Sequence, residues 1–134
     1  MKPFITVVGA VLEDERGVLC ALRSELMSQP LVWEFPGGKV EPGESPAEAL
    51  EREMREEFSC EIRVVGPPLE DVVWDSGERQ VRLLTLPCRL AGGQPVPREH
   101  AAMLWLPRTA LGSLVWAPAD RPTVTSLLGG NLEE

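Results

Sequence analysis

A glycine-rich loop that runs directly into a capped, amphipathic helix restricts the fold of this chain more than any other feature. The loop spans residues 37–44, and Ser45 follows it as a candidate N-cap. Pro46 suits the first helical position, and Glu48 completes a capping box with Ser45. At 100° per residue, one face of the helix collects the apolar side chains Ala47, Leu50, Met54 and Phe58. This pattern predicts a core-packed helix that ends near Ser59.

Short apolar and β-branched segments predict strands on both sides of this helix. The predicted strands are 4–12, 18–22, 31–35, 72–74, 81–88 and 103–106, with a turn at 13–17, a loop at 91–97 and a last helix at about 120–128. Strands around one strong helix predict a mixed α/β layer fold. No long linker divides the 134 residues, so we predict a single domain over 1–134.

The charge balance limits the partners of the chain. It has 13 basic and 21 acidic residues, a net charge of −8. This balance argues against binding of nucleic-acid polymers or anionic membranes, which need a basic face. If the substrate is anionic, a divalent cation is the obvious means of neutralising it.

The apolar stretch 4–12 is too short to span a membrane, and it lacks the basic flank and cleavage site of a signal peptide. Cys20, Cys60 and Cys88 are scattered without CxxC spacing, so neither a disulfide framework nor a zinc site is expected. We therefore expect a protein of the reducing cytoplasm.

The predicted helix carries a second, acidic face. Glu53, Glu56 and Glu57 share an arc of roughly 100° beside the apolar face, and the small Ala49 lies among them. Oxygen-rich clusters of this kind suit hard divalent cations such as Mg²⁺. An acidic helix face is also commonly just solvated, and the interleaved Arg52 is equally consistent with ordinary salt bridges.

The preceding loop favours a site over a solvated surface. Gly37 and Gly38 allow the backbone to approach an ion or a phosphate closely, and Glu44 stands just ahead of the acidic helix.

The segment GGKVEPGESPAEALEREMREEFSC resembles the Nudix box, G-x5-E-x7-R-E-U-x-E-E-x-G-U, where U is a bulky apolar residue. The matching positions are Gly38, Glu44, Arg52, Glu53, Met54, Glu56 and Glu57. Ser59 stands where the pattern has Gly, and Cys60 where it has a larger aliphatic residue. A left-handed conformation at Ser59 would cost about 1 kcal/mol of stability, and no ligand is lost.

The resemblance implies a Nudix-type α/β/α sandwich with a mixed β-sheet and the Nudix loop-helix. The segment from Trp33 to Lys39 resembles the MutT-like branch, and the stretch from Glu99 to Asp120 resembles its CTP pyrophosphohydrolase subgroup. The implied activity is metal-dependent hydrolysis of a (d)NTP to (d)NMP and pyrophosphate, favouring cytosine or damaged nucleotides (CTP, modified dCTP, 8-oxo-dGTP). The role would be nucleotide pool sanitation or nucleotide metabolism.

The resemblance also assigns the reacting end of the site. Glu53, Glu56 and Glu57 would hold Mg²⁺ or Mn²⁺, with a backbone ligand from the Gly37-Gly38 region, most simply the Gly37 carbonyl. Glu53 is the first candidate for the general base. Glu99 would be a further metal ligand or the base itself, and is equally an ordinary loop glutamate.

Supporting and substrate-binding roles follow from the same resemblance. Arg52 and Glu44 would hold the carboxylates in place. Candidates for contact with the substrate are Arg23 and Lys39 for the phosphates, and Arg79, Asp120 and Trp116 for the base. An ionised Asp120 would accept hydrogen bonds from a base such as cytosine or oxidised guanine. Asp120 is equally an N-cap for the last helix, and Trp116 equally a core residue.

Two other functions remain open. One is hydrolysis of ADP-ribose or a dinucleoside polyphosphate. The dinucleotide branch typically reads adenine with a tyrosine, and this chain has none. The ADP-ribose branch tends to carry a proline where this chain has Ser76. Both differences argue against this function. The other is a catalytically silent, nucleotide-sensing module, a minority view because the box carboxylates are retained. The protein would act as a monomer or homodimer.

Overall fold

The computed structural model describes residues 4–129, so the ends of the predicted domain, 1–3 and 130–134, lie outside the described residues. The strands are β1 (Phe4–Asp14), β2 (Gly17–Leu22), β3 (Trp33–Glu34), β4 (Gly37–Lys39), β5 (Glu61–Val64), β6 (Glu70–Asp75), β7 (Gln80–Gly92) and β8 (Ala102–Leu106). The helices are α1 (Pro46–Phe58) and α2 (Arg121–Leu127), with 3₁₀ turns at Arg108–Ser113 and Pro118–Asp120.

The sheet is mixed, as predicted. Its main path is β3-β2-β1-β7-β5, in which β1 and β7 run parallel and the neighbouring pairs run antiparallel. Three further strands pair with this path: β4 with β1, β6 with β7, and β8 with β2. The long parallel pair β1–β7 joins segments that are far apart in the chain. Strand β4 pairs with β1 and strand β6 with β7, and these strands contribute to the candidate site described below.

Alternation along β1 divides the core between the two faces of the sheet. Val8, Ala10 and Leu12 pack in one cluster with the buried face of α1. Val11 packs in a second cluster with Leu111 of the 3₁₀ turn and side chains of α2. Helical elements thus cover both faces, which confirms the predicted α/β/α sandwich.

Helix α1 begins and ends where the sequence predicted. The Ser45 side chain accepts from the Glu48 backbone, and the Glu48 side chain accepts from the Ser45 backbone, so the capping box is complete. At the other end, Ser59 is left-handed at φ 56° and ψ 34°. The apolar face differs by one position: Ala49 is fully buried and Ala47 only partly, because the helix is rolled further toward β4 and β5.

Several predicted boundaries were wrong. The predicted strand 31–35 shrinks to Trp33–Glu34, because Leu31 is left-handed at φ 62°. Part of the predicted loop 37–44 is strand β4, paired with Val7–Gly9. Only glycine permits this pairing, since a Cβ on Gly37 would overlap the Val8 carbonyl oxygen.

Strand β7 extends into the predicted loop 91–97 to pair with β5, and β5 itself was not predicted. The segment of β5 is short and only Ile62 in it is buried, so its pattern carries little signal.

Candidate active site

The carboxylate of Glu53 lies directly against the backbone of Gly38. A Cβ added to Gly38 would overlap this carboxylate, so the absence of a side chain is what makes the contact possible. The two residues meet because α1 packs on β4. The structure therefore joins the glycine pair and the acidic helix into one oxygen-lined surface.

Arg52 holds this surface together with all five of its N–H groups. The guanidinium grips Glu44 through two bonds, Nε to Oε2 at 2.6 Å and one NH2 donor to Oε1 at 3.0 Å. Its remaining donors reach the Lys39 carbonyl at 3.0 Å, Glu53 Oε2 at 3.2 Å and Glu56 Oε1 at 3.1 Å. Charge-assisted bonds of this kind orient their partners. The supporting role of Arg52 and Glu44 in catalysis stays a prediction, with which these bonds agree.

The two ends of this network differ in pKa. Hydrogen bonds from Arg52, and then from the Glu41 backbone, lower the pKa of Glu44 to about 2. At Glu53 the net effect is opposite, because burial raises the pKa and outweighs the opposing bond from Arg52. Nearby Glu57 and Glu56 raise the pKa of Glu53 further. A carboxylate with a raised pKa is better suited to take up a proton.

The donor set on α1 fits a hard divalent cation, since it consists of carboxylate and backbone oxygens around Gly37 and Gly38. The Glu53 side chain is 14% exposed and the Glu56 side chain 57%, and Arg52 NH1 bonds to both carboxylates. Among residues 4–129, no three acidic, histidine or cysteine side chains form a ready-made metal-binding group.

A cleft of about 560 Å³ opens beside this surface. Gly37, Gly38 and Lys39 line one end of it, and Asp120 and Ala117 another part. Apolar walls come from β1, β6 and β7, namely Ile5, Val7, Val8, Trp74, Val81 and Leu83. A volume of this size, apolar with a few convergent polar groups, suits a small organic ligand such as a nucleotide.

The cations predicted to contact the substrate line this cleft. Lys39 is exposed on β4, and Arg79 stands in the β6–β7 turn, which Ser76 closes through bonds to the Arg79 backbone. Arg23 is also in the wall, but much of its guanidinium is committed: Nε donates to the Ser28 carbonyl at 2.8 Å and NH1 to Glu34 Oε1 at 2.8 Å. Arg23 therefore holds neighbouring parts of the cleft wall together and also contributes a positive charge to the cleft.

Asp120 is buried in the cleft wall, with 5% of its surface exposed. Its Oδ1 accepts from the Phe35 backbone N–H at 3.0 Å, and its side chain makes no capping bond to α2. Asp120 thus occupies the predicted N-cap position of α2, but its side chain does not cap the helix. Burial, and then the charge of Glu34, raise the pKa of Asp120 to about 8.

Trp116 does not lie in the cleft. It is buried in the second core cluster, stacks on Phe35 with ring centroids 4.8 Å apart, and donates Nε1–H to the Leu111 carbonyl at 2.8 Å. The prediction that it stacks on a base is therefore wrong, and the core alternative holds. Its bulk and indole N–H are used in packing the last helix.

Glu99 is exposed in the segment that follows β7, and it is not among the described side chains that line the cleft. The structure does not bring it to Glu53, so its assignment as metal ligand or base stays a prediction.

Three residues of the site were missed from the sequence. Trp74 is half-buried in the cleft wall, and its position in an alternating strand was a usable signal. Glu34 lines the cleft between Arg23 and His100, whose Nε2 lies 2.7 Å from Glu34 Oε2. Neither Glu34 nor His100 carries a local signal, because their partners are distant in the chain.

Comparison with known proteins agrees with this architecture. The profile of the NUDIX domain matches residues 3–127. The CTP pyrophosphohydrolase of Escherichia coli is 36% identical over 125 residues, covering 92% of this chain and 91% of that protein. The 8-oxo-dGTP diphosphatase of Haemophilus influenzae is 30% identical over 133 residues, covering 95% and 93%.

A solution structure of the MutT protein from methicillin-resistant Staphylococcus aureus, described as a Nudix hydrolase, is also similar. It is 44% identical with a TM-score of 0.78, covering 96% of this chain and 98% of that one. No helix among the described residues is long and apolar enough to cross a membrane.

Proposed function

The chain belongs to the NUDIX family of hydrolases, and we propose that it is a metal-dependent pyrophosphohydrolase that converts a (d)NTP and water to (d)NMP and pyrophosphate. The observation that carries this proposal is the Glu53 carboxylate seated against Gly38 and held by Arg52, at one end of a nucleotide-sized cleft. The proposed substrates are cytosine or damaged nucleotides: CTP, modified dCTP and 8-oxo-dGTP.

Glu53, Glu56 and Glu57, together with the Gly37 carbonyl, would hold Mg²⁺ or Mn²⁺, and Glu99 is a further proposed ligand. When bound, the cation neutralises the triphosphate and lowers the pKa of a bound water. Glu53 takes the proton of the attacking water, and its raised pKa favours this uptake. Glu99 remains the alternative base.

The chemical step is an in-line displacement at the β-phosphorus. The water oxygen bonds to that phosphorus while the bond from it to the α–β bridging oxygen breaks. The nucleoside monophosphate leaves with the bridging oxygen, and the added oxygen ends in pyrophosphate. Lys39 and Arg23 contribute positive charge along the phosphate chain, and Arg52 keeps Glu53 and Glu44 in place.

We assign base selection to the part of the cleft around Asp120, and Arg79 lines the same cleft. A carboxyl with a pKa of about 8 is mostly protonated at neutral pH, so Asp120 both donates and accepts a hydrogen bond there. This replaces the view of Asp120 as an acceptor only. Cytosine offers a matching donor and acceptor in its N4 amino group and N3, and an oxidised guanine offers N1–H and O6.

A hydrolysis panel tests the proposal. It would contain CTP, dCTP, 5-methyl-dCTP, 8-oxo-dGTP, the ordinary dNTPs, ADP-ribose and a dinucleoside polyphosphate, with Mg²⁺ at neutral and at alkaline pH, a parallel Mn²⁺ series and an EDTA control. Monophosphate plus pyrophosphate from cytosine or oxidised nucleotides is the expected result. In ¹⁸O-labelled water, attack at the β-phosphorus labels pyrophosphate, whereas attack at the α-phosphorus labels the monophosphate.

Two outcomes would contradict the proposal. Turnover of ADP-ribose alone would keep the metal surface but overturn the proposed use of the cleft. Nucleotide binding without turnover of any compound would favour a catalytically silent module.

A further inference from the structure

His100 is the single histidine of the chain, and its side chain is 8% exposed. Its ring rests on Phe58 at the end of α1, with centroids 5.2 Å apart, and its Nε2 lies 2.7 Å from Glu34 Oε2. A carboxylate only accepts hydrogen bonds, so Nε2 carries the hydrogen of this contact. The side chain is thus fixed on one side by packing and on the other by a charged hydrogen bond.

Three neighbouring strands bring this contact together. β2 pairs with β3 on one side and with β8 on the other. Glu34 lies on β3, Arg23 follows the end of β2, and His100 precedes β8, where the Ala101 N–H bonds to the Leu22 carbonyl at 2.9 Å. Since these positions share one end of the sheet, Glu34 is approached from both sides.

Glu34 therefore has each oxygen assigned to a different partner. Arg23 NH1 donates to Oε1 at 2.8 Å and His100 to Oε2 at 2.7 Å. Each carboxylate oxygen keeps acceptor capacity for a further donor. The carboxylate lines the cleft, and its charge acts on Asp120 in the same wall. Losing one of the two holding bonds would let the carboxylate rotate out of this orientation.

His100 is not among the described residues lining the cleft, so any influence it has on a ligand passes through Glu34. We propose that His100 is a positioning residue for base selection, holding the Glu34 carboxylate in the orientation in which it accepts a hydrogen bond from the substrate's base. The proposal rests on the proposed hydrolysis of nucleoside triphosphates and assigns to that activity a residue that is not one of the proposed metal ligands.

Replacing the ring without its donor tests this role. His100→Phe keeps an aromatic ring against Phe58 and removes the bond to Glu34. His100→Gln restores an N–H donor and serves as the conservative rescue. Arg98→Gln is the matched control on the same segment, because Arg98 is bonded to Ser59 Oγ at 3.0 Å and not to Glu34.

The measurements are kcat and KM for the best substrate of the panel and for a nucleotide with a disfavoured base. A hydrogen bond to a charged group predicts about a tenfold rise in KM for the best substrate in His100→Phe. We expect kcat to change by less than about twofold, since no carboxylate of α1 is replaced and the Phe side chain keeps the ring contact with Phe58. The discrimination between bases should fall about tenfold. His100→Gln should recover most of the loss, and Arg98→Gln should match the unaltered protein.

A double-variant cycle separates positioning from general support of the fold. If His100 acts through Glu34, adding His100→Phe to Glu34→Gln should have less than about a twofold further effect on discrimination. Calorimetric binding of the nucleoside monophosphate in EDTA should show the same pattern without catalysis.

The proposal is overturned if His100→Phe retains the KM and base discrimination of the unaltered protein. It is also overturned if the variant weakens all nucleotides equally while lowering Tm, or if its effect adds in full to that of Glu34→Gln. If the unaltered protein hydrolyses and binds no nucleotide, the proposed function fails and this inference fails with it.

Discussion

On the exposed face of α1, Arg52 donates all five of its N–H groups to carboxylates and to one carbonyl, and it lowers the pKa of Glu44 to about 2. In the wall of the cleft, Asp120 has no such cation bonded to it among the described residues, and burial raises its pKa to about 8. The first arrangement favours the ionised form of Glu44. The second favours the neutral form of Asp120, so the two regions shift the pKa of the same functional group in opposite directions.

The largest expected effect comes from the α1 face. Glu53→Gln removes the proposed base and a metal ligand together, and we expect kcat to fall by about 10³-fold. Nucleotide binding in EDTA should persist, because the cleft walls are unchanged. The assay is steady-state hydrolysis of the best substrate.

Glu51→Gln makes the same chemical change on the same helix at a side chain that is not a partner of Arg52, and it should behave as the unaltered protein. Full activity of Glu53→Gln would remove Glu53 from the reaction and leave Glu99 as the base.

The next effect tests the fork geometry of Arg52. Arg52→Lys keeps the charge but cannot bridge Glu44, Glu53 and the Lys39 carbonyl at once. We therefore expect a loss of about 10- to 100-fold in kcat/KM, the size usually found for residues that orient metal ligands. Kinetics over a range of Mg²⁺ concentrations should show a higher metal requirement.

Arg55→Lys is the control, since Arg55 lies half-exposed on the same helix and makes a single long ion pair among the described residues, with its NH1 3.6 Å from Glu61 Oε1. Equal kinetics for the two lysine variants would mean that charge alone suffices at position 52.

At the other end of the comparison, Asp120→Asn should change how stability depends on pH. The folded pKa of Asp120 is raised to about 8 from 3.8, so its contribution is fully present below about pH 4 and is lost as the pH rises through 8. The asparagine variant lacks this loss. Relative to the unaltered protein, its free energy of unfolding should rise by at least about 1 kcal/mol between pH 5 and 8.5.

Urea denaturation at several pH values measures this difference. Glu78→Gln, at an exposed carboxyl that also lines the cleft, should follow the unaltered protein. Parallel curves for the unaltered protein and Asp120→Asn would show that Asp120 is ionised in the fold, and the proposed contrast between the two ends would be wrong.

The smallest effect lies outside both ends of the cleft. Ser59→Gly relieves the left-handed conformation at φ 56° but removes the hydroxyl that accepts from Arg98. We expect a net gain of about 0.5 kcal/mol in stability with unchanged kinetics. Thermal unfolding measures it.

Ser59→Ala loses the hydroxyl and keeps the strain, so it should be slightly less stable than the unaltered protein. A Ser59→Gly variant no more stable than Ser59→Ala would show that the conformation costs serine nothing.

The cap of α1, its end near Ser59 and its acidic face were predictable because each depends on contacts within a few residues. The presence of most strands could be predicted, but several of their first and last residues could not. Leu31 leaves the extended region without any sequence signal for it, and β4 exists only because β1 lies beside two glycines that have no Cβ to obstruct pairing.

The part of the cleft around Asp120, which we propose selects the base, was harder to predict from the sequence. Asp120 and Trp116 were identified as candidates, but their alternatives could not be separated, because the choice depends on burial and not on residue type. The structure puts the carboxyl in the cleft and the indole in the core.

By itself, the sequence determined the acidic helix, its caps and the glycine loop before it, since hydrogen bonds one turn apart specify them. Only the tertiary structure decided which polar groups face each other across the sheet. Glu34 meets His100 across 66 residues, and Asp120 meets the Phe35 backbone across 85. Such contacts, and the desolvation that shifts the pKa of Asp120, exist only once distant strands pair, so no local pattern encodes them.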